Sequence, residues 1–321
     1  GVLLLALAAL TFDYLLMALA HTFWLLLIGR IIAGIAGATY STVTTYLADI
    51  SPPDKRAANF GLISAVFGVG FILGPALGGL LSTIDLRAPF YAAAALSAVN
   101  FLYGWLLLPE SLPLASRRAF SLRGSGPFKA LRAAFSLQSL RAPLAVFTVF
   151  ELAAFVYPAV WAYFGRASFG WSTATIGLTL TGYGMLLLIV QGGLLRIMLP
   201  RWGEKRLVLF GMSTATISLC GIGLAPNALI VFALLPLAAL SDVMPPSIQG
   251  LMSNRVGEDE QGKLQGVLGS LGALISIVGP LLMTGVFWLF TSTSLPYLPG
   301  APFLLAALMT LAVIPLARNR I

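Results

Sequence analysis

Three acidic side chains stand inside otherwise apolar stretches: Asp13, Glu151 and Asp242. In a low-dielectric interior a carboxylate is costly unless it is neutral, paired or hydrated. One that passes between those states can take up and release a proton. Arg30 lies in a similar stretch, where placing a guanidinium costs ~2.5–3.5 kcal/mol, so it needs an acid, carbonyls or water beside it. Asp13, Arg30, Glu151 and Asp242 are therefore the candidate proton-coupling residues, and Glu151 also suits contact with a cationic drug. Tyr157, Trp161 and Tyr163 follow Glu151 in the same stretch, with Tyr183 and Gln191 in the next. Tyr157, Trp161, Tyr183 and Gln191 form a candidate pocket for an amphipathic small molecule, with broad aromatic faces and few polar anchors. Trp161 and Tyr163 equally fit an aromatic belt at a lipid interface.

Other chemistries lack their residues. Cys220 is the single cysteine and His21 the single histidine, so neither a disulfide, a Cys/His metal site nor a Ser-His-Asp hydrolase is expected. No G-x4-G-K-[ST] loop occurs, which argues against ATP as the driving force. The expectation is a protein without metal or cofactor that is not an enzyme. An intramembrane enzyme or a receptor-like protein is the competing class.

The elements that must position these groups follow from composition. Of 321 residues, 59% are hydrophobic and 9% charged, with a mean hydropathy of +0.94; a soluble domain carries roughly 25% charged residues. A soluble enzyme is excluded, and a multi-span helical membrane protein follows. A bilayer core of roughly 30 Å needs roughly 20 apolar residues per helix. Ten stretches qualify, near 1–20, 22–47, 59–82, 89–108, 143–163, 173–195, 207–225, 228–250, 264–290 and 300–317. The loops near 48–58, 109–142, 196–206 and 251–263, with the tail after 317, hold 16 of the 19 basic residues. Basic loops stay cytoplasmic, so both ends of the sequence are expected in the cytoplasm and the chain in the inner (plasma) membrane. The formal charge of +8 is then topological, and no nucleic-acid partner is expected. The partners are lipid, protons and a small-molecule substrate, and the protein is expected to be a monomer. The polar stretch 109–142 reads as a linker between a bundle at 1–108, with four spans, and one at 143–321, with six.

One span has the pattern G-x8-G-x3-G-P-x2-G-G at Gly61, Gly70, Gly74, Pro75, Gly78 and Gly79. Gly70, Gly74 and Gly78 share a helical face that another helix can approach closely, and Pro75 bends the helix. The chain also repeats itself. Asp54, Gly61 and Gly74-Pro75 recur as Asp259, Gly266 and Gly279-Pro280, each 205 residues later. Carried through, that offset places two further helices ahead of Gly1, giving two halves of six around a midplane site, a transporter architecture.

The run Gly34-Ile-Ala-Gly-Ala-Thr39, then Ala48-Asp49, the loop Pro53-Asp54-Lys55-Arg56 and the glycine helix resemble the major facilitator superfamily. More narrowly, they are similar to its proton-coupled drug antiporters of the tetracycline-resistance type. Leu26/Arg30/Gly34 matches the arginine motif on that family's fourth helix, and 61–79 its antiporter motif on the fifth. Phe12-Asp13-Tyr14, Phe169-Gly-Trp-Ser172, Trp202-Gly-Glu-Lys205 and Leu264-Gln-Gly266 extend the resemblance along nearly the whole chain. It implies an all-α integral membrane protein with the superfamily's two-bundle fold, about ten of an expected twelve spans being present. It also implies a proton-driven exporter of amphipathic, tetracycline-like drugs by alternating access. A metabolite transporter, or an inactive remnant lacking its first two helices and the loop after them, is the alternative. Four departures stand out. Glu151 occupies a position where the family pattern has Gln, Asp242 one where it has Gly, and Gly211-Met212 is followed by Ser213, Thr214 and Ala215 where an aspartate is often found. The loop with Arg201-x-Gly203 has Pro200 where an acid often stands.

Overall fold

The computed structural model describes residues 2–35, 43, 46, 56–108, 138–257, 260–292 and 296–321, and all regular structure among them is helical. The loop around Asp54, most of 109–142, and Asp259 lie outside the described residues. The helices are α1 (Val2–Leu19), α2 (Phe23–Ile35), α3 (Arg56–Leu81), α4 (Ala88–Leu107), α5 (Arg141–Ala154), α6 (Val156–Phe169), α7 (Thr173–Ile189), α8 (Leu195–Gly223), α9 (Ala228–Ser241), α10 (Met244–Ser253), α11 (Gln261–Ser292) and α12 (Ala301–Arg320). Six continuous helical runs among the described residues are long and apolar enough to cross a membrane, and three shorter apolar helices lie at Leu3–Leu19, Phe23–Gly34 and Gly68–Leu81. α3 and α11 begin 205 residues apart, and each carries its proline inside, Pro75 and Pro280.

Burial is inverted relative to a soluble protein. Trp24 and Leu106 are 70% and 73% exposed while Asp13 is fully buried. Water would drive such an apolar surface inward; hydrocarbon does not.

The chain divides into two compact units, residues 1–120 with 173–181, and residues 121–172 with 182–321. In the first, α1 packs against α2 and α4, and α3 against α4. In the second, α8 packs against α9, α10 and α12, while α11 lies against α5, α6 and α12.

Prolines explain the breaks in the second unit. Pro158 has no N–H for the Ala154 carbonyl and its ring crowds that oxygen, so the helix over the 143–163 stretch divides into α5 and α6 at Phe155. Pro245 and Pro246 do the same to Ser241 and Asp242, separating α9 from α10. Between α7 and α8 the chain widens into a π turn, Val190–Leu194.

Small residues set the helix spacing at the tightest contacts. A Cβ on Gly300, at the start of α12, would lie 1.9 Å from the main-chain oxygen of Gly223 at the end of α8. Gly300→Ala should therefore cost about 1–3 kcal/mol through overpacking, visible as a lower unfolding temperature of the purified protein in detergent. An unchanged temperature would mean that these helix ends part freely.

Candidate transport site

The sequence marks Asp13 and Arg30 separately, and the first unit brings them together. Arg30 Nη2 donates to Asp13 Oδ2 across the α1–α2 contact. The Asp13 side chain is 1% exposed and that of Arg30 51%. The guanidinium thus reaches outward while its counter-ion is enclosed. Asp13 Oδ1 is buried without a hydrogen-bond partner among the described residues. It sits over Gly29, where a Cβ would approach it to 2.8 Å, so the absence of a side chain at Gly29 is what gives that oxygen its space.

The second unit holds the other two acids. Asp242 lies at the α9–α10 break. Pro246 cannot donate to its carbonyl, and Gln191 Nε2, from the π turn, donates to that oxygen at 3.4 Å instead. The Tyr183 hydroxyl, from α7, donates to Asp242 Oδ2. Glu151 on α5 lies within electrostatic range of Asp242. Both acids thus belong to the second unit and stand in largely apolar helical runs.

Aromatic rings continue from this cluster. Tyr157 stacks on Tyr183 with ring centroids 5.8 Å apart, and Phe303 of α12 meets Tyr157 and Trp161 edge-on. The Tyr157 hydroxyl makes no hydrogen bond among the described residues, although the Ser218 side chain lies close by. It lines a small cavity with Ala154, Ala215, Ser241 and Thr310. Trp161 is 4% exposed, enclosed by Phe164, Trp171 and Phe303. The interface-belt expectation for Trp161 is therefore corrected: Gly170 turns the chain in the left-handed region, φ 66°, and carries Trp171 back over Gly165 to cover it. Tyr163 does stand exposed, beside Phe287. Of the four residues expected to bind substrate, Tyr157 and Tyr183 stack, Gln191 reaches the same acid as Tyr183, and Trp161 extends the group inward.

In the glycine helix the close contacts among the described residues fall at Pro75 and Gly79 of the motif. Among the described residues nothing lies within 4 Å of a Cβ added at Gly70, Gly74 or Gly78, and Gly61 lies where side-chain surroundings are outside the described residues. The close approach falls instead at Gly79 and at the main-chain oxygen of Pro75, which meet Gly177 of α7. A Cβ on Gly177 would lie 2.6 Å from Pro75 O and 2.9 Å from Gly79 Cα. Thr181 adds a hydroxyl bond to Ile72 O at 3.3 Å. Residues 72, 75 and 79 form a stripe about 130° round the helix from 70, 74 and 78. Glycine spacing permits contact on a face without compelling it. Gly177 and Thr181 escaped sequence reasoning, though their small-x3-small spacing is itself a packing signal.

The Major Facilitator Superfamily model matches residues 1–280 and 152–319. The chain belongs to the Major Facilitator Superfamily. Within the superfamily it is 38% identical over 312 residues to the class C tetracycline resistance protein of Escherichia coli, covering 97% of this chain and 78% of that protein. It is 37% identical to the class G protein of Vibrio anguillarum, covering 99% and 80%. Among solved structures, a bacterial homologue of the human lysosomal transporter Spinster, inward-facing and occupied, shares its fold with a TM-score of 0.73 at 14% identity, covering 99% of this chain and 81% of that one. The superfamily fold agrees with the helical architecture, and the protein is a multi-pass membrane transporter.

Proposed function

We propose that this transporter exports amphipathic, tetracycline-like drugs in exchange for protons, by alternating access. The observation that carries the proposal is the Glu151, Asp242 and Tyr183 cluster. It puts two exchangeable carboxylates and a hydroxyl donor beside stacked aromatic rings in an otherwise apolar bundle. The relatives named for tetracycline resistance support a drug as cargo.

In this reading Glu151 and Asp242 take up and release protons as access alternates, because a carboxylate in an apolar region is costly unless neutral, paired or hydrated. A bound drug contacts Tyr157, Tyr183 and Gln191 and changes which acid holds the proton. Trp161 joins that surface when the bundle rearranges. Asp13, paired with Arg30, is the other acid of the coupling path. The basic loops face the cytoplasm, with both ends of this sequence on that side, and the monomer is the transport unit.

The test uses inverted membrane vesicles with an imposed pH gradient. Adding tetracycline should dissipate the gradient only when the protein is present. Asp13→Asn should reduce that exchange about five- to tenfold with similar protein abundance, because the amide keeps the shape and holds no exchangeable charge. Arg30→Lys should reduce it too, since an ammonium lacks the planar donor set of a guanidinium. Drug transport without proton movement would identify an uncoupled facilitator and sink the proposal.

A further inference from the structure

The second unit has a recess of about 550 Å3 that the transport reading does not use, lined by Trp202, Glu204, Lys205, Arg206, Asn254 and Arg255, among others. Its shape starts at Gly203. That residue takes φ 73° and interrupts the helical run Leu195–Gly223 between two apolar stretches. A side chain there would be strained. Asn254 and Arg255 follow directly on the end of α10. The recess therefore forms where apolar helical segments run out into basic sequence, which is the depth of lipid headgroups in a bilayer.

Its charge is unbalanced. Glu204 is the acid among the lining residues, and its Oε1 already accepts from Asn254 Nδ2 at 2.9 Å. Arg255 donates to the main-chain oxygen of Ile321 at 2.6 Å. Lys205 and Arg206 are exposed and have no carboxylate partner among the described residues. Two cations thus remain to attract an anion. The lining adds an apolar component, since Trp202 stands 43% exposed and Leu251 also borders the recess. Phe210 holds the Trp202 ring edge-on at 5.3 Å.

A free anion would use the basic wall alone. A ligand with an anionic head and apolar tails uses both surfaces. We propose that this recess seats the headgroup of an anionic phospholipid, with its phosphodiester against Lys205 and Arg206 and its acyl chains leaving along Trp202.

The test places the purified protein in nanodiscs of dioleoylphosphatidylcholine. These contain an equal small fraction of either brominated phosphatidylglycerol or brominated phosphatidylcholine. The difference between wild type and Trp202→Phe isolates the fluorescence of Trp202. Brominated phosphatidylglycerol should quench that signal preferentially, reflecting about tenfold enrichment at the site. Lys205→Gln with Arg206→Gln should remove the preference and leave quenching by brominated phosphatidylcholine unchanged. Lys205→Arg with Arg206→Lys, which keeps both charges, should retain it. Equal quenching of wild type by the two lipids overturns the proposal, as does a preference that survives the double Gln variant. Loss of the preference on adding inorganic phosphate at matched ionic strength reassigns the site to a soluble phosphate and overturns the lipid assignment.

Discussion

Glu151→Gln combined with Asp242→Asn should lower drug-driven proton exchange in inverted vesicles by at least about tenfold. Each amide preserves the size of its acid and removes the exchangeable proton. The single variants should fall less, because the remaining carboxylate can still take up a proton once its neighbour is neutral. Asp242→Asn also spares the backbone contact with Gln191, which uses the main-chain oxygen and not the side chain. The double variant should therefore fold, and its abundance in the membrane should match the wild type. Exchange at the wild-type rate in the double variant would make these acids structural and move the coupling to Asp13.

The second large effect is expected at Gly177. Even a methyl group there lies 2.6 Å from the Pro75 carbonyl oxygen, a contact with rigid backbone that no rotamer change relieves. Gly177→Ala should cost about 1–3 kcal/mol, as overpacking does. Gly177→Leu should stop drug transport while leaving membrane insertion intact, since insertion depends on hydropathy and not on this contact. Gly74→Ala is the control and should transport normally, because an added Cβ there meets nothing within 4 Å. Normal transport by Gly177→Leu would show that the α3–α7 approach is dispensable. Loss of transport in Gly74→Ala would show that its open face closes against another element during the cycle.

Much of the architecture is legible in composition and pattern because the bilayer imposes so few solutions. A run of apolar residues of sufficient length must be a helix, since its backbone has no other partner in hydrocarbon. The helical class and the candidate acids follow from that. So does the break beside Asp242, because Pro245 and Pro246 lack the N–H that would continue the helix. The resemblance to drug antiporters was likewise carried by local motifs that can be read without coordinates.

Which residues meet was decided only by tertiary structure. Asp13 and Arg30 are each conspicuous in the sequence, but their pairing depends on the rotation of α1 against α2, which hydropathy leaves undetermined when nearly every face is apolar. The Tyr183–Asp242 bond joins residues 59 apart, a separation that no local pattern encodes. The glycine helix makes the same point in reverse. Four-residue spacing marked Gly70, Gly74 and Gly78 as a surface that can be packed, but the neighbouring stripe at Pro75 and Gly79 is the one that found a partner without a side chain, Gly177. In an apolar solvent, burying apolar area has little directional force. Helix rotation is set by where backbones fit closely and where polar groups find each other, and both are properties of pairs of helices that no single segment encodes.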